Sequence, residues 1–191
     1  MTRARGILAA FVAAGLCAAA MWLWTLDPKL RAAVQNPLQT RGRIGEVVTN
    51  DVFSVRVDRY DVAATVTRKF GNGPDIADGI FVVVRFRARA EREPFAMGHV
   101  RLETRGGLSY DEGGRGGFFG DAEKTYQPML WTPGTLLFEI PKDRLAGSRV
   151  VFGQADPLNQ LSAEAVVDLG IDKATAARLA ARPPAGYELG D

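Results

Sequence analysis

The segment Ile80–Ala90 reads IFVVVRFRARA and carries the clearest strand pattern of the chain. Side chains alternate between the two faces of a strand, so its even-numbered residues, which are all apolar, share one face. The other face carries the arginines Arg85, Arg87 and Arg89. A sheet with one apolar face must bury that face against another layer. The segment therefore predicts a layered β-protein with a charged outer surface.

Shorter runs with the same alternation lie on both sides of this strand. Gly45–Asn50 and Val52–Val62 are expected to form a hairpin around the turn pair Asn50-Asp51. Short strands separated by turn signals every ~8 to 12 residues are typical of a sandwich or barrel. The other expected strands are His99–Thr104, Tyr126–Leu130, Thr135–Ile140, Ser148–Phe152 and Ala165–Leu169, with turns at Gly71–Pro74, Pro133-Gly134 and Gly147.

A short helix is expected at the C-terminal end of the chain. Asp172 is a suitable N-cap for Lys173–Ala181, and Pro183-Pro184 would end that helix. Leu161–Val167 also fits a helix, so this boundary stays open. The fold prediction is all-β, an immunoglobulin-like β-sandwich over residues 44–170, followed by a short helix and tail over residues 171–191.

The N-terminal segment Gly6–Leu26 contains no charged residue and is long enough to span a membrane, which takes roughly 20 apolar residues. We predict a cytoplasmic tail at residues 1–5, a transmembrane helix at 6–26 and a juxtamembrane linker at 27–43. The side chains expected to anchor it in the bilayer are Ile7, Leu8, Phe11, Val12, Leu16, Met21, Trp22, Leu23, Trp24 and Leu26.

Two other interpretations of this segment stay open. It also fits a signal peptide cleaved after Ala20, although the apolar run continues to Leu26. A lipid anchor on Cys17 fits less well, because Leu16 stands where a small residue is usual. Arg3 and Arg5 favour an N-terminus inside the cell, so we expect a single-pass protein of the cell membrane with an extracytoplasmic domain.

Composition limits the functions that are compatible with the chain of 191 residues. A net charge of +2 gives no general attraction to nucleic acid, which we do not expect as a partner. The single cysteine lies in the N-terminal segment, so the domain must be held together by packing alone. We expect neither a cofactor nor a metal, because the chain has one histidine and shows no ligand spacing.

The reactive side chains do not indicate an enzyme. Nucleophilic catalysis needs a nucleophile, a base and an orienting partner within hydrogen-bond reach. His99 is the only imidazole, and it falls at a polar position of a strand. Ser109, in Gly107-Leu108-Ser109-Tyr110-Asp111, lacks the second glycine and the strand-turn-helix context of a nucleophile elbow. We therefore predict a protein without catalytic activity.

Gly106–Gly120 is nearly half glycine and is expected to form a loop. It lacks the Gly-Lys-Ser/Thr ending of a phosphate-binding loop. Phe118 and Phe119 within it are candidate partner contacts, because paired aromatics in a loop either fold onto the core or present an apolar patch. A calcium site is the alternative, using the nearby carboxylates of Asp111, Glu112, Asp121 and Glu123.

The arginine row Arg85, Arg87 and Arg89 also has two interpretations. It is either a solvated sheet face with cross-strand partners such as Glu103, or a docking surface for an acidic partner or an anionic polymer of the cell envelope. That face lacks the interleaved aromatics of a nucleic-acid surface. The three arginines are therefore kept as candidate partner contacts.

Three stretches resemble a known family: Phe53-Ser54-Val55-Arg56-Val57, Gly79-Ile80-Phe81-Val82-Val83-Val84-Arg85-Phe86, and Thr132-Pro133-Gly134 leading to Leu137-Phe138-Glu139-Ile140-Pro141. They resemble the bacterial telokin-like, immunoglobulin-type domain of unknown function. The resemblance covers residues 44–169 and implies an extracytoplasmic domain on a lipoprotein or membrane-anchored protein. It implies no catalytic residue, and members often use a lipidated cysteine where this chain has an apolar segment.

The sequence thus predicts a membrane-anchored extracytoplasmic binding or accessory domain. The expected partners are the membrane bilayer and a membrane protein, within a transporter or an envelope-assembly complex. The alternative is a secreted β-sandwich that binds a ligand or calcium through Gly106–Gly120.

Overall fold

The computed structural model describes residues 13–22, 38–68, 73–113, 124–154, 162–184 and 186–189. The chain divides into two compact units, Met1–Pro37 and Leu38–Asp191. In the first unit, residues 13–22 form helix α1, on which Leu16, Met21 and Trp22 are exposed. No helix among the described residues is long and apolar enough to cross a membrane. The other predicted anchor positions lie outside the described residues: Ile7, Leu8, Phe11, Val12, Leu23, Trp24 and Leu26.

The second unit is a sandwich of two β-sheets, with one short helix near its C-terminal end. The long strands β3 and β4 form the centre of one sheet, as the alternation in Ile80–Ala90 requires. The strands are β1 Leu38–Arg43, β2 Val47–Thr49, β3 Phe53–Arg68, β4 Pro74–Ala90, β5 Phe95–Glu103, β6 Ser109–Asp111, β7 Thr125–Tyr126, β8 Thr132–Ile140, β9 Arg149–Gln154, β10 Ala163–Asp168 and β11 Tyr187–Leu189; the helix α2 is Lys173–Ala181.

Sheet A has the order β1-β10-β9-β5-β6, with β7 paired to β5, and sheet B has the order β11-β3-β4-β8, with β2 paired to β3. Neighbouring strands are antiparallel except for two pairs, β1 with β10 and β11 with β3. The predicted hairpin is confirmed, because β2 and β3 pair antiparallel and the Asn50 side chain accepts hydrogen bonds from the backbone of Val52 and Phe53.

The core lies between the two sheets and contains the even-numbered residues of β4 from Ile80 to Ala90, as the alternation predicts. Phe86 packs against Phe152 of sheet A, with ring centroids 5.2 Å apart. A second apolar cluster covers part of the outer face of sheet B: Val66, Phe81, Val83 and Leu137, with Tyr187 and Leu189 of β11 packed against it.

Three predicted boundaries differ from the structure. Leu38–Arg43 forms β1, so the sandwich begins inside the predicted linker; its polar sequence concealed a strand that pairs in parallel with β10. Pro133-Gly134 lies within β8 instead of forming a turn, which an edge strand permits because the missing N–H need not pair. The predicted tail contains β11. The helix at Lys173–Ala181 is confirmed, and Asp172 caps it by accepting a hydrogen bond from the Thr175 N–H at 2.7 Å.

Candidate functional site

The turn between β7 and β8 contains three consecutive apolar residues, Met129–Trp131, which we call the apolar tip. Met129 is 91% exposed and Leu130 is 59% exposed, whereas Trp131 is half-buried. Met129 is also the one non-glycine residue with a positive φ, 62°, in the described part of the chain. A left-handed backbone costs an L-residue about 1–2 kcal/mol. Strain beneath an exposed apolar side chain is a reason to suspect a functional role.

Contacts with β4 hold the apolar tip in place. The Ala90 N–H donates to the carbonyl of Gln127 at 3.2 Å, and Ala90 also forms a β-bridge with Pro128. The Arg89 guanidinium lies 5.0 Å from the centroid of the Trp131 ring, in reach of a cation–π interaction. The tip is therefore attached to the end of the longest strand.

The apolar tip lies at the end of the sandwich where β1 begins, which we call the proximal end. Leu38 is paired with Ala163 at the start of β10. On the other side of β9, Met97 near the start of β5 lies at the same end of sheet A. Phe95, which begins β5, stacks on Phe53 of sheet B with 4.9 Å between ring centroids.

The same end of sheet B leads to the tip. Phe53 begins β3 and is paired with Ala90 at the end of β4, and Ala90 bridges Pro128 beside the tip. Leu38, at the first position of the sandwich, is itself 67% exposed. The proximal end therefore displays Leu38, Met129 and Leu130 to solvent.

The arginine row lies on the outer face of sheet B, as predicted, and every guanidinium has a contact. Arg85 donates to the Tyr187 hydroxyl at 2.8 Å. Arg87 donates two hydrogen bonds to Asp58, at 2.8 and 2.9 Å, and these raise the pKa of Arg87 above its ordinary value. Arg89 pairs with Glu91 at 3.2 Å. The predicted partner Glu103 lies in sheet A instead, so the pairing expectation was wrong in its choice of carboxylate.

The outer face of sheet A carries a denser network of charges. Arg101 donates to both carboxylate oxygens of Glu164, at 2.8 and 3.1 Å, and to Glu103 at 3.1 Å. Arg149 donates to the other oxygen of Glu103 at 2.8 Å. The hydrogen bonds to Glu164 raise the pKa of Arg101 above its ordinary value, against the opposing effect of burial. This network joins β5, β9 and β10 across a face that contains the buried Val151.

An open acidic cleft lies where β6 meets β4 and β8. It has a volume of ≈ 540 Å³ and is lined by Asp78, Gly79, Ser109, Tyr110, Asp111, Glu112, Glu139, Ile140 and Pro141. Glu139 accepts a hydrogen bond from the Asp78 N–H at 2.8 Å. Across the described residues, no group of three or more histidine, cysteine or acidic side chains is arranged to hold a metal ion.

The other sequence candidates are only partly described. Phe118 and Phe119 lie outside the described residues, as do Asp121 and Glu123. The first part of the predicted glycine-rich loop contains β6, because Ser109–Asp111 pairs with β5. His99 is exposed on β5. Ser109 lies on β6, where it is paired with Glu103 of β5. Four residues of strand, about 13 Å, separate His99 from that position.

Sequence reasoning missed the apolar tip, because Tyr126–Leu130 was expected to be a strand. The strand ends at Tyr126, and Met129 occupies a turn. Pro128 was the available signal: proline donates no ladder hydrogen bond and favours turns. The positive φ of Met129 had no signal, since methionine is not a residue that such positions select.

Comparison with known proteins gives a likeness in fold. The yjhA protein of Bacillus subtilis aligns with a TM-score of 0.50 and 14% sequence identity, over 66% of this chain and 98% of its own. MPT63, a secreted protein of Mycobacterium tuberculosis, aligns with a TM-score of 0.46 and 12% identity, over 70% and 98%. An uncharacterized β-sandwich protein of Clostridium difficile gives 0.42 and 11%, over 70% and 95%.

The likeness to yjhA shows a shared β-sandwich. At such low identity it shows the fold alone. No family model matches the chain, and no curated protein matches it in sequence.

Proposed function

We propose that the protein is a membrane-anchored, extracytoplasmic binding or accessory domain with an immunoglobulin-like sandwich of the telokin-like type. One observation carries the proposal: three of the six exposed large apolar side chains in the described part of the sandwich, Leu38, Met129 and Leu130, lie at the proximal end, where the chain enters the sandwich after its uncharged N-terminal segment. An apolar surface at that end is of use to a domain that works beside a membrane. The role that fits is an accessory subunit of a transporter or an envelope-assembly complex.

The proposed role is not catalytic. A general base must lie within hydrogen-bond reach of the group that it activates. His99 and Ser109 are held too far apart along β5 to meet that condition. The remaining outer surface of sheet A is a network of paired charges, which suits a rigid scaffold better than a reaction centre.

The anchor is tested with the full chain carrying a C-terminal tag. We expect the protein to stay in the membrane fraction after washing with alkaline carbonate, and its intact mass to correspond to an uncleaved N-terminus. The accessory role predicts that a membrane protein co-purifies in mild detergent. A soluble product that begins at Met21 would contradict the anchor, and a reproducibly solitary protein would contradict the accessory role.

A ligand-binding sandwich is the second candidate, and the acidic cleft favours a small organic cation over calcium, because its described carboxylates are not arranged to hold a metal ion. Asp111 and Glu112 from the predicted loop meet Asp78 and Glu139 there, so the cleft brings together carboxylates that are distant in sequence. A specific ligand stabilises the folded state by mass action. Titration of a small organic diamine with a thermal-shift readout should raise Tm in the wild type and not in Asp78→Asn, whereas calcium should leave both unchanged; no rise with the diamine in the wild type would reject this candidate.

A further inference from the structure

We propose that the apolar tip docks on a phospholipid bilayer, with Met129 and Leu130 among the upper acyl chains and Trp131 at the level of the headgroups. This inference rests on the proposed membrane attachment and names the partner of the proximal end. It assigns a function to three residues, of which the sequence pattern had placed Met129 and Leu130 in a strand.

The chemistry of the tip matches the interfacial region of a membrane. Met129 and Leu130 are flexible apolar side chains, and they extend into water at 91% and 59% exposure. Tryptophan prefers the membrane–water interface, because its ring is apolar and its N–H is polar. Burial of Met129 and Leu130 in acyl chains removes an unfavourable contact with water that the free sandwich must tolerate.

The tip is prepared for docking by its backbone. Met129 has a positive φ at the point where it and Leu130 are exposed, and the Ala90–Gln127 hydrogen bond holds the turn on the sheet. A group that is already ordered loses little conformational entropy on binding. The strain at Met129 is thus understandable as the cost of presenting an apolar side chain away from the core.

Three features favour lipid over a protein as the occupant. The tip is a protruding turn, which a fluid bilayer accepts without a matching pocket. It lies at the end where the chain enters the sandwich, the end at which Leu38 is also exposed. Arg89, which lies against the Trp131 ring, is already paired with Glu91, so we expect the contact to be driven by apolar burial and to depend little on anionic lipid.

The test uses the full chain reconstituted in phosphatidylcholine vesicles. In a Cys17→Ser background, Met129→Cys is labelled with an environment-sensitive nitrobenzoxadiazole dye. The matched control is Ile76→Cys, because Ile76 is also an exposed apolar residue, 76% exposed, on the same strand β4 that holds the tip. About 45 Å of extended strand separates Ile76 from Ala90.

We expect the dye at position 129 to emit at shorter wavelength than the dye at position 76, and to be quenched by lipids that carry a spin label on the upper acyl chain. Replacing part of the phosphatidylcholine with phosphatidylglycerol should leave both results unchanged. Water-like emission at both positions, with the protein still floating with the vesicles, would overturn this inference and leave the anchor intact.

Other outcomes separate the two proposals. Failure of the protein to float with vesicles would contradict the anchor itself. A shift at position 129 that lipid spin labels do not quench, and that appears only when native membrane proteins are reconstituted together with the chain, would assign the tip to a protein partner and overturn the bilayer assignment.

Discussion

The two ends of the sandwich differ in chemistry, although one strand, β4, reaches both. At the proximal end, β4 closes against a turn that exposes Met129 and Leu130. Toward the far end, β4 contributes Asp78 to a cleft that also contains Asp111 and Glu139. An apolar end and an acidic end on one rigid body have opposite preferences: the first favours lipid, and the second favours water or cations.

This difference predicts which end of the domain would face a membrane. Carboxylates near a membrane surface that carries negative charge are repelled, whereas exposed apolar side chains gain from contact with acyl chains. The charge network on sheet A links β5, β9 and β10 between the two ends. A sandwich with both features would stand on its proximal end and present its acidic cleft away from the bilayer.

Gly79→Ala should cause the largest loss of stability, because it disrupts the packing of β4 against β8 toward the far end. A Cβ at Gly79 would overlap the backbone carbonyl of Ile140, which cannot move without disturbing β8. We expect the free energy of unfolding to fall by about 3 kcal/mol in denaturant titrations. Gly106→Ala is the control, because its Cβ would meet only the flexible end of Arg144 at 3.5 Å. Equal stability of the two variants would show that the far end is loosely packed.

Arg101→Ala tests how much the charge network between the two ends contributes to stability. The variant leaves Glu164, which is 5% exposed, without both hydrogen bonds from Arg101, so that Gln39 remains as a donor at 3.0 Å. We expect a loss of about 2 kcal/mol in the free energy of unfolding. Adding Glu164→Gln should recover part of that loss, because the buried charge is removed. Arg87→Ala breaks the exposed ion pair with Asp58 on sheet B and should reduce the free energy of unfolding by clearly less. A loss as large as that of Arg101→Ala would contradict the difference between the outer faces of sheets A and B.

Met129→Gly should relieve the backbone strain at the proximal end and so separate the two ends further. Glycine adopts a positive φ without steric cost, so we expect the free energy of unfolding to rise by about 0.5 kcal/mol. The same change removes an apolar side chain from the tip and should weaken its contact with lipid. Leu130→Gly, at a neighbouring position without positive φ, should give no such gain. A less stable Met129→Gly protein would show that Met129 packs on the fold.

The smallest expected effect concerns pH and helix α2. Hydrogen bonds from Thr175 hold the pKa of Asp172 below its ordinary value. A carboxyl with a lowered folded-state pKa stabilises the fold above its unfolded-state pKa, about 4, and this contribution is lost as pH falls through the folded-state value. Asp172→Asn keeps a capping side chain that does not titrate. The stability gap between the two proteins should therefore narrow between pH 6 and pH 3, and a constant gap would contradict this assignment.

Much of the sandwich could be predicted from sequence, because its central strands obey strict alternation. The even-numbered residues of Ile80–Ala90 are in the core, and the Asn50 turn forms as expected. Leu38–Arg43 was missed because an edge strand needs little apolar sequence to pair. The apolar tip was missed because Met129 and Leu130 look like strand residues when their backbone angles are unknown, and only tertiary contacts with Ala90 place them in a turn.

The central claim, that the proximal end meets the bilayer and the far end meets water, can be tested on a tip of native sequence. The full chain with Ile76→Met is reconstituted in lipid nanodiscs and treated with a water-soluble oxidant, and methionine sulfoxide is followed by mass spectrometry. The buried Met97 serves as the protected reference. We predict that Met129 is oxidised several-fold more slowly than the methionine introduced at position 76. Equal rates at these two positions would contradict the account.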